Sequence, residues 1–354
     1  MPPRRSAKTE DVPETDRLEG FPHPRETFTL AGQHAALTRA ARAIRTGHPP
    51  QAWLITGPPG VGKATLAYRI ARYMLAYGAT AKGPEDLSVP EREPNAIQLT
   101  AASHPGVLVL KRGISQSTGK LMGELGVDVV RKLSGFFGMT SGAGGWRIAI
   151  VDTADDMNDA AANALLKMLE EPPRNAMLLL LSNVPGRLLP TIRSRCQRLD
   201  LRPLEPAVIE HELARLLPDT AASERAALAR LSGGSIGMAL QLADGDSVML
   251  AKEADRLLDN ASVPDIAAIL SLADRINRIT DGLDTFGNFL QQALANRIRA
   301  KAIAGAPHLD RWVEALNKLT ESFARSDLLN LDPRQTLLSN AAALGNTARR
   351  AGAV

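Results

Sequence analysis

The segment GPPGVGKAT, which begins at Gly57, differs at one position from a phosphate-binding loop. Such loops follow G-x-x-x-x-G-K-[ST], in which backbone N–H groups and the lysine hold phosphates while the last hydroxyl binds Mg²⁺. Gly62 and Lys63 are in place, but Ala64 stands at the hydroxyl position and Thr65 follows one residue late. Because successive helical residues point about 100° apart, Thr65 does not replace the missing ligand. The segment predicts a nucleotide pocket with a weakened metal site.

An apolar run that ends in an acid supplies the second predicted part of this pocket. In RIAIVDTADDM the run leads to Asp152, which would orient Mg²⁺ through water. An ATPase normally carries glutamate next, as the base that polarises the attacking water, and here Thr153 follows. Asp155 and Asp156 come one turn later, where their charges favour a helix N-terminus. The predicted pocket residues are Gly57, Pro58, Gly60, Gly62, Lys63, Ala64, Thr65 and Asp152.

The segment SNVPGRLLPTIRSRCQR, residues 182–198, contains the third candidate group. Ser182 or Asn183 ends an apolar run, at the place where an α/β fold keeps a polar residue that senses the γ-phosphate, and Asn183 is the predicted sensor. Arg193 and Arg195 follow on a predicted short helix, and an arginine held there and presented outward has the geometry of an arginine finger that acts on a neighbouring molecule. An Arg-Ser-Arg tripeptide alone is more often a solvated surface.

Short apolar runs alternate with helical patterns in the first two hundred residues, which predicts a mostly parallel sheet covered on both faces. Residues 78–105 have mixed charge and several prolines and are predicted to be loop. The predicted strands are 52–56, 106–111, 146–152, 176–182 and 197–201, and the predicted helices between them are 35–44, 66–76, 129–139 and 157–171.

Four segments are predicted along the chain. Residues 1–25 are polar and proline-rich and are predicted to be a disordered lead. An α/β domain follows over 26–203. After it the apolar runs stop, which predicts a small helical domain over 204–245 and a longer helical domain over 246–354 that joins subunits.

Composition excludes several classes of protein. The 354 residues are 44% hydrophobic and 23% charged with a net charge of +4, without a long basic run, so direct nucleic-acid binding is not indicated. The single cysteine, Cys196, excludes an intrachain disulfide and a four-cysteine zinc site. No apolar stretch approaches 18 residues and no secretory signal is evident, so a cytoplasmic protein without a membrane span is expected.

These motifs in this order resemble the clamp-loader branch of the AAA+ ATPases. The resemblance implies an AAA+ P-loop αβα sandwich, a small helical lid domain and a C-terminal helical collar in a hetero-pentamer. It implies the other loader subunits, of the delta and gamma/tau types, as partners, and the sliding clamp and primer–template DNA as indirect ones. It is strong over 26–244 and is carried by LAGQ (30–33), AANALLKMLEEPP (161–173), TIRSRC (191–196) and LSGGSIGMAL (231–240).

Three departures from the hydrolysing members of this family imply a subunit without turnover of its own. Ala64 replaces the hydroxyl residue, Thr153 replaces the base, and Gly237 stands where the second-sensor arginine is expected. The intact SRC segment maps the family's arginine finger to Arg195, which would act on the neighbour's ATP. Binding of ATP or ADP, with Mg²⁺ only alongside the nucleotide, is left open.

Two further implications follow from the resemblance. The family's zinc module is missing, because its four cysteines are absent, and residues 78–105 take its place. The alternative is an active ATPase of the gamma/tau type that uses Thr65 and water-mediated metal binding. A P-loop small-molecule kinase would need neither the SRC segment nor the long helical tail.

Overall fold

A computed structural model describes residues 17–351 apart from 19, 114–121, 139–144, 244, 280, 281, 308 and 330, and gives only the backbone of 245 and 327–329. The chain forms two compact units, Met1–Glu212 with Ser235–Gly237, and Leu213–Gly234 with Met238–Val354. The division into four segments stays a prediction, and most of the expected disordered lead lies outside the described residues.

The first unit contains a parallel sheet in the order β2-β3-β4-β1-β5. Its central strands β1 and β4 are buried along their whole length, because helices cover both faces of a parallel sheet and the strand sequences are continuously apolar. Each predicted strand is confirmed. The strands are β1 (Ala52–Thr56), β2 (Val107–Leu110), β3 (Arg147–Val151), β4 (Ala176–Ser182) and β5 (Gln197–Asp200).

The strand directions bring the predicted pocket residues to one edge of the sheet. β1 pairs with β4 so that Thr56 lies opposite Ser182, and β3 pairs with the other side of β4. The carboxyl ends of the three strands therefore meet, as in other α/β folds whose ligands bind at that edge. The residues that follow these strands are the glycine loop, Asp152 and Asn183.

Helices of the first unit confirm the sequence pattern with one exception. Residues 78–105 were expected to be loop, and that prediction is wrong for Pro94–Thr100, a helix in which the Glu93 carboxylate caps the Ala96 N–H. The Glu-Pro pair is the overlooked signal, since proline at the first helical position favours a helix start. The helices are α1 (His34–Arg45), α2 (Lys63–Tyr77), α3 (Pro94–Thr100), α4 (Val127–Gly138), α5 (Asp159–Glu170) and α6 (Pro190–Arg195).

The chain after the sheet is helical, as predicted. Buried residues on the longest helices include Trp312, Leu319 and Phe323 at helical spacing. No helix among the described residues is long and apolar enough to cross a membrane. The helices are α7 (Pro206–Leu216), α8 (Ala222–Leu231), α9 (Ile236–Gln241), α10 (Gly245–Asp259), α11 (Ile266–Ile276), α12 (Gly282–Ile303), α13 (Leu309–Leu329) and α14 (Pro333–Ala351).

Two buried arginines of α2 hold the segment that precedes α1. The Nη2 group of Arg72 donates to the carbonyl oxygens of Arg25 at 2.7 Å and Thr27 at 2.9 Å, and its guanidinium lies 4.1 Å from the centre of the Phe28 ring. Arg69 donates to the Phe28 carbonyl at 2.7 Å. The end of the expected disordered lead is therefore ordered against α2, because these contacts satisfy its backbone carbonyls.

The segment over residues 78–105 is also fixed to α2. Arg69 donates to the Asp86 carbonyl through Nε at 3.0 Å and through Nη2 at 2.9 Å. The Tyr73 hydroxyl donates to the Thr80 carbonyl at 3.2 Å, and Leu87 is fully buried. Side-chain hydrogen bonds from one helix thus order this segment.

Candidate functional site

The predicted phosphate-binding loop joins the central strand β1 to helix α2. Gly60 and Gly62 have φ angles of 70° and 104°, in the left-handed region that favours glycine. Lys63 begins α2, and Ala64 and Thr65 are the next two residues of its first turn. The loop therefore has the strand–turn–helix form of a phosphate-binding loop, with an alanine at the metal position.

Lys63 is turned into the loop rather than out of it. Its ammonium donates to the Gly57 carbonyl at 2.8 Å and to the Pro58 carbonyl at 2.7 Å, and only 8% of the residue is exposed. Burial lowers the pKa of Lys63 to about 8, although the charges of Asp152 and Asp155 raise it. The group expected to hold a phosphate is therefore bound to carbonyls of its own loop.

A second contact covers the loop from a distant part of the sequence. The cover segment, Ser235–Gly237, belongs to the same compact unit as the loop. The Ser235 hydroxyl donates to the Pro59 carbonyl at 2.9 Å, and the Gly237 N–H donates to the Gly60 carbonyl at 3.1 Å. These two hydrogen bonds fasten the cover segment onto the loop backbone.

The cover segment requires glycine at the position of the missing second-sensor arginine. A Cβ atom added to Gly237 would lie 2.9 Å from the Gly60 Cα, and one added to Gly60 would lie 2.4 Å from the Ser235 Oγ. Carbon atoms do not approach backbone this closely, so a side chain at Gly237 would separate the two segments. The absence of arginine is thus also a packing requirement of the closed loop.

We expect Gly237→Ala to lower the free energy of unfolding by about 1–3 kcal/mol, the usual cost of overpacking. Gly135→Ala is a matched control on α4, because its new methyl group enters open space and should stabilise the helix by about 0.5–1 kcal/mol. Urea unfolding of the full chain measures both. Equal effects of the two substitutions would contradict the close approach of Gly237 to the loop.

Two other residues close further sides of the loop. The Gln33 amide nitrogen donates to the Val61 carbonyl at 3.4 Å and to the Arg202 carbonyl at 2.8 Å, while its oxygen accepts from the Arg202 N–H at 3.2 Å. The side chain of Leu30 lies beside Gly62, 3.1 Å from where a Cβ would stand. Both residues belong to the LAGQ segment, and these contacts give that segment a structural role that its sequence pattern does not indicate.

Asp152 directly follows β3, and its N–H donates to the Leu110 carbonyl at 2.8 Å. Thr153, at the position of the missing base, has φ 51° and ψ 55°. A β-branched residue in this left-handed region costs roughly 1–3 kcal/mol unless its surroundings enforce it. The turn after β3 is thus held in an unusual backbone conformation.

The acidic pair after Thr153 has a role that the sequence interpretation missed. The buried carboxylate of Asp155 accepts from the backbone N–H groups of Asn183 at 3.1 Å and Val184 at 3.2 Å. Asp156 lies 3.4 Å from Arg112, and burial raises its pKa. Both acids lie in the first turn of a short 3-10 helix, Ala154–Asp156, and their contacts with Asn183, Val184 and Arg112 come in addition to the expected position at a helix start.

The predicted sensor Asn183 lies at the edge that carries the loop. The Gly57 N–H donates to the Ser182 carbonyl at 3.3 Å, so the end of β4 touches the start of the loop. Through Asp155, the backbone of Asn183 is also tied to the turn after β3. The structure therefore brings together the loop, the acidic turn and the sensor residue that the sequence predicted.

Arg195 lies elsewhere, at the end of α6 just before β5. Its Nη2 group is 3.1 Å from a Glu170 carboxylate oxygen, and its Nη1 group donates to the Thr191 carbonyl at 3.2 Å. The next residue, Cys196, lies beside a cavity of about 340 Å³, and burial raises the pKa of its thiol to about 12. Arg195 is thus an exposed cation held by its own subunit.

Strand direction separates Arg195 from the loop of its own chain. β5 runs parallel to β1, with Gln197 opposite Trp53 and Asp200 opposite Thr56. These paired positions span about 10 Å at roughly 3.3 Å per residue. Arg195 precedes the start of β5, whereas the glycine loop follows the end of β1, so the two lie toward opposite ends of the sheet.

Comparison with known proteins identifies relatives of the region that carries these features. The family model described as DNA polymerase III, delta subunit, matches residues 32–205. DNA polymerase III subunit delta' of Pseudomonas aeruginosa is 42% identical over 186 residues, which cover 52% of this chain and 53% of that protein. The Escherichia coli subunit delta' is 35% identical over 207 residues, with coverage of 58% of each.

A second type of relative is more distant. DNA polymerase III subunit gamma/tau of Mycobacterium tuberculosis is 30% identical over 201 residues, which cover 54% of this chain and 31% of that protein. The chain spans a little over half the length of the delta' proteins it matches. Residues 32–205, which contain the parallel sheet and the altered phosphate loop, therefore match the DNA polymerase III delta-subunit family model and are similar to delta' subunits of DNA polymerase III.

Proposed function

We propose that the chain acts as the delta-prime subunit of a bacterial DNA polymerase III clamp loader and supports loading of the sliding clamp onto primed DNA. Its partners would be delta and gamma/tau subunits in a hetero-pentamer joined by the C-terminal helices, with the clamp and the primer–template contacted indirectly. It would work in the cytoplasm, at the replisome on the nucleoid. The similarity of residues 32–205 to DNA polymerase III delta' subunits supports this assignment.

The observation that carries the mechanism is the position of Arg195. The residue is exposed and lies toward the opposite end of the sheet from its own glycine loop. An arginine finger stabilises charge on the phosphoryl group during transfer, so it must reach a γ-phosphate. We infer that Arg195 serves the ATP bound by an adjacent subunit, in trans.

The state of the glycine loop supports a subunit that does not hydrolyse ATP. Phosphate would have to displace the contacts of Lys63 with Gly57 and Pro58 before it gained the ammonium. The cover segment also donates to the backbone carbonyls of Pro59 and Gly60, which fixes the loop in this conformation. We infer that this loop is a closed structural element, and that ATP and ADP, with the Mg²⁺ that would accompany them, bind elsewhere in the ring.

The second candidate function is an active ATPase of the gamma/tau type, which the identity to gamma/tau subunits favours. It would have to hold the metal through Thr65 and water, because Ala64 offers no ligand, and it would need a base at Thr153, whose hydroxyl is not one. It would also need the cover segment to leave the loop. These needs make it the weaker proposal.

One experiment on the isolated chain separates the two candidates. We expect no ATP turnover and no rise in melting temperature with MgADP, whereas a ligand at 100 times its Kd stabilises a protein by about 2.7 kcal/mol. A gamma/tau subunit measured in parallel is the positive control. Turnover on the order of 1 s⁻¹, the low end for enzymes, would establish the second candidate instead.

A reconstitution experiment tests the assignment to the loader. We expect the chain to co-elute with delta and gamma/tau subunits and to be required for clamp loading onto primed DNA. A chain that does not co-elute with them, or a loader that works equally well without it, would contradict the proposed function.

A further inference from the structure

We propose that Glu170 is a positioning residue that holds Arg195 in an ion pair, which the phosphate of the neighbour's ATP must displace before the finger can act. This inference rests on the proposed function of Arg195. It adds a competition inside the subunit: the same guanidinium has an internal acid and an external phosphate as alternative partners.

Both terminal nitrogens of the Arg195 guanidinium contact groups within the same chain. Nη2 meets the Glu170 carboxylate at 3.1 Å, and Nη1 donates to the Thr191 carbonyl at 3.2 Å. Arginine binds phosphate through the same planar set of paired N–H groups, with two parallel hydrogen bonds. A phosphate that takes this fork therefore replaces one or both of the internal contacts.

The pair is positioned by two helix ends rather than by a flexible loop. Glu170 is the last residue of α5, and Arg195 is the last residue of α6. The buried side chain of Ile192 anchors α6 in the same hydrophobic core that contains Leu165 of α5. Glu170 is therefore held at a fixed position beside Arg195.

Solvent exposure makes the exchange feasible. The side chains of Arg195 and Glu170 are 39% and 52% exposed, so water screens the attraction between them. A phosphate at a subunit interface carries more charge than a carboxylate and is less screened, so it is the stronger partner. The ion pair therefore holds the finger in the free subunit and gives way to nucleotide.

Glu170→Gln removes the competing charge and keeps the shape of the side chain. In a loader reconstituted with full-length chain, we expect this variant to raise kcat/KM for ATP about two- to fivefold, since exposed ion pairs are weak. Glu171→Gln is the matched control, because it makes the same change at the next residue, which is also exposed. It should leave kcat/KM unchanged.

The effect must pass through Arg195. In the double variant Arg195→Ala with Glu170→Gln, the gain from the second substitution should vanish, which a merely structural role of Glu170 would not require. An unchanged or lower kcat/KM in Glu170→Gln, or a gain that persists without Arg195, would overturn the inference.

The failure of this inference is distinguishable from failure of the proposed function. If Arg195→Ala alone leaves turnover of the loader intact, the finger assignment fails. If Arg195→Ala abolishes that turnover while Glu170→Gln has no effect, only the competition by Glu170 is refuted.

Discussion

Replacing Arg195 with alanine should lower ATP turnover at the adjacent subunit by roughly 10³–10⁵-fold, the contribution of arginine fingers in phosphoryl transfer. The reason is electrostatic, because the transferring phosphoryl group carries charge that the guanidinium neutralises at low reorganisation cost. Assembly should survive the substitution. The side chain is exposed, and its ion pair with Glu170 contributes little stability.

The measurement needs a reconstituted loader in which ATP turnover comes from a single site. The SRC arginine of each hydrolysing subunit is therefore also replaced by alanine. The ATP site that Arg195 is proposed to serve is then the one that keeps an arginine finger. Turnover of that loader, with co-elution as the check on assembly, gives the effect directly. Arg193→Ala is the matched control, since Arg193 is an exposed arginine on the same short helix.

Two outcomes would contradict the assignment. Unchanged turnover in Arg195→Ala would mean that the exposed arginine is an ordinary surface cation. An equal loss in Arg193→Ala would mean that α6 matters as a unit, through packing or assembly, rather than through one guanidinium.

The sheet was predictable because its information is local. Continuous apolar runs such as Ala176–Ser182 fit a buried parallel strand, and the observed bounds of β4 match the predicted ones. The glycine loop and Arg195 were predictable for a similar reason, since each is defined by a few adjacent residues whose spacing has a chemical meaning.

The closure of the loop could not be predicted, because it depends on contacts between distant residues. Ser235 donates to Pro59 across 176 positions of sequence, and no local pattern marks that pairing. The family resemblance implies an arginine at the position of Gly237. The structure shows that Gly60 leaves no room for a side chain there. The role of Asp155 was missed likewise, because its partners Asn183 and Val184 follow a different strand, β4.

Arg72→Ala should lower the free energy of unfolding by about 3 kcal/mol, within the range for truncating a large buried side chain. Arg72 is 1% exposed and remains charged at neutral pH, since burial lowers its pKa only to about 10. Its loss would remove the Arg72 hydrogen bonds to the carbonyls of Arg25 and Thr27 and open a cavity beside Phe28. The lost hydrogen bonds and the cavity both destabilise the folded state.

Three substitutions separate these contributions. Arg72→Met fills much of the volume without donating, so the remaining loss measures the hydrogen bonds and the contact of the cation with the Phe28 ring. Arg131→Ala is the control, an exposed arginine whose ion pair with Asp128 lies on the helix surface and whose removal should cost well under about 0.5 kcal/mol. Urea unfolding ranks the variants, and trypsin cleavage after Arg25 reports release of the N-terminal segment from α2.

A stability of Arg72→Ala equal to that of Arg131→Ala would mean that the segment before α1 adds nothing to the folded state. Faster cleavage at Arg25 in both Arg72 variants, with the methionine form the more stable of the two, is the result that the buried donor predicts.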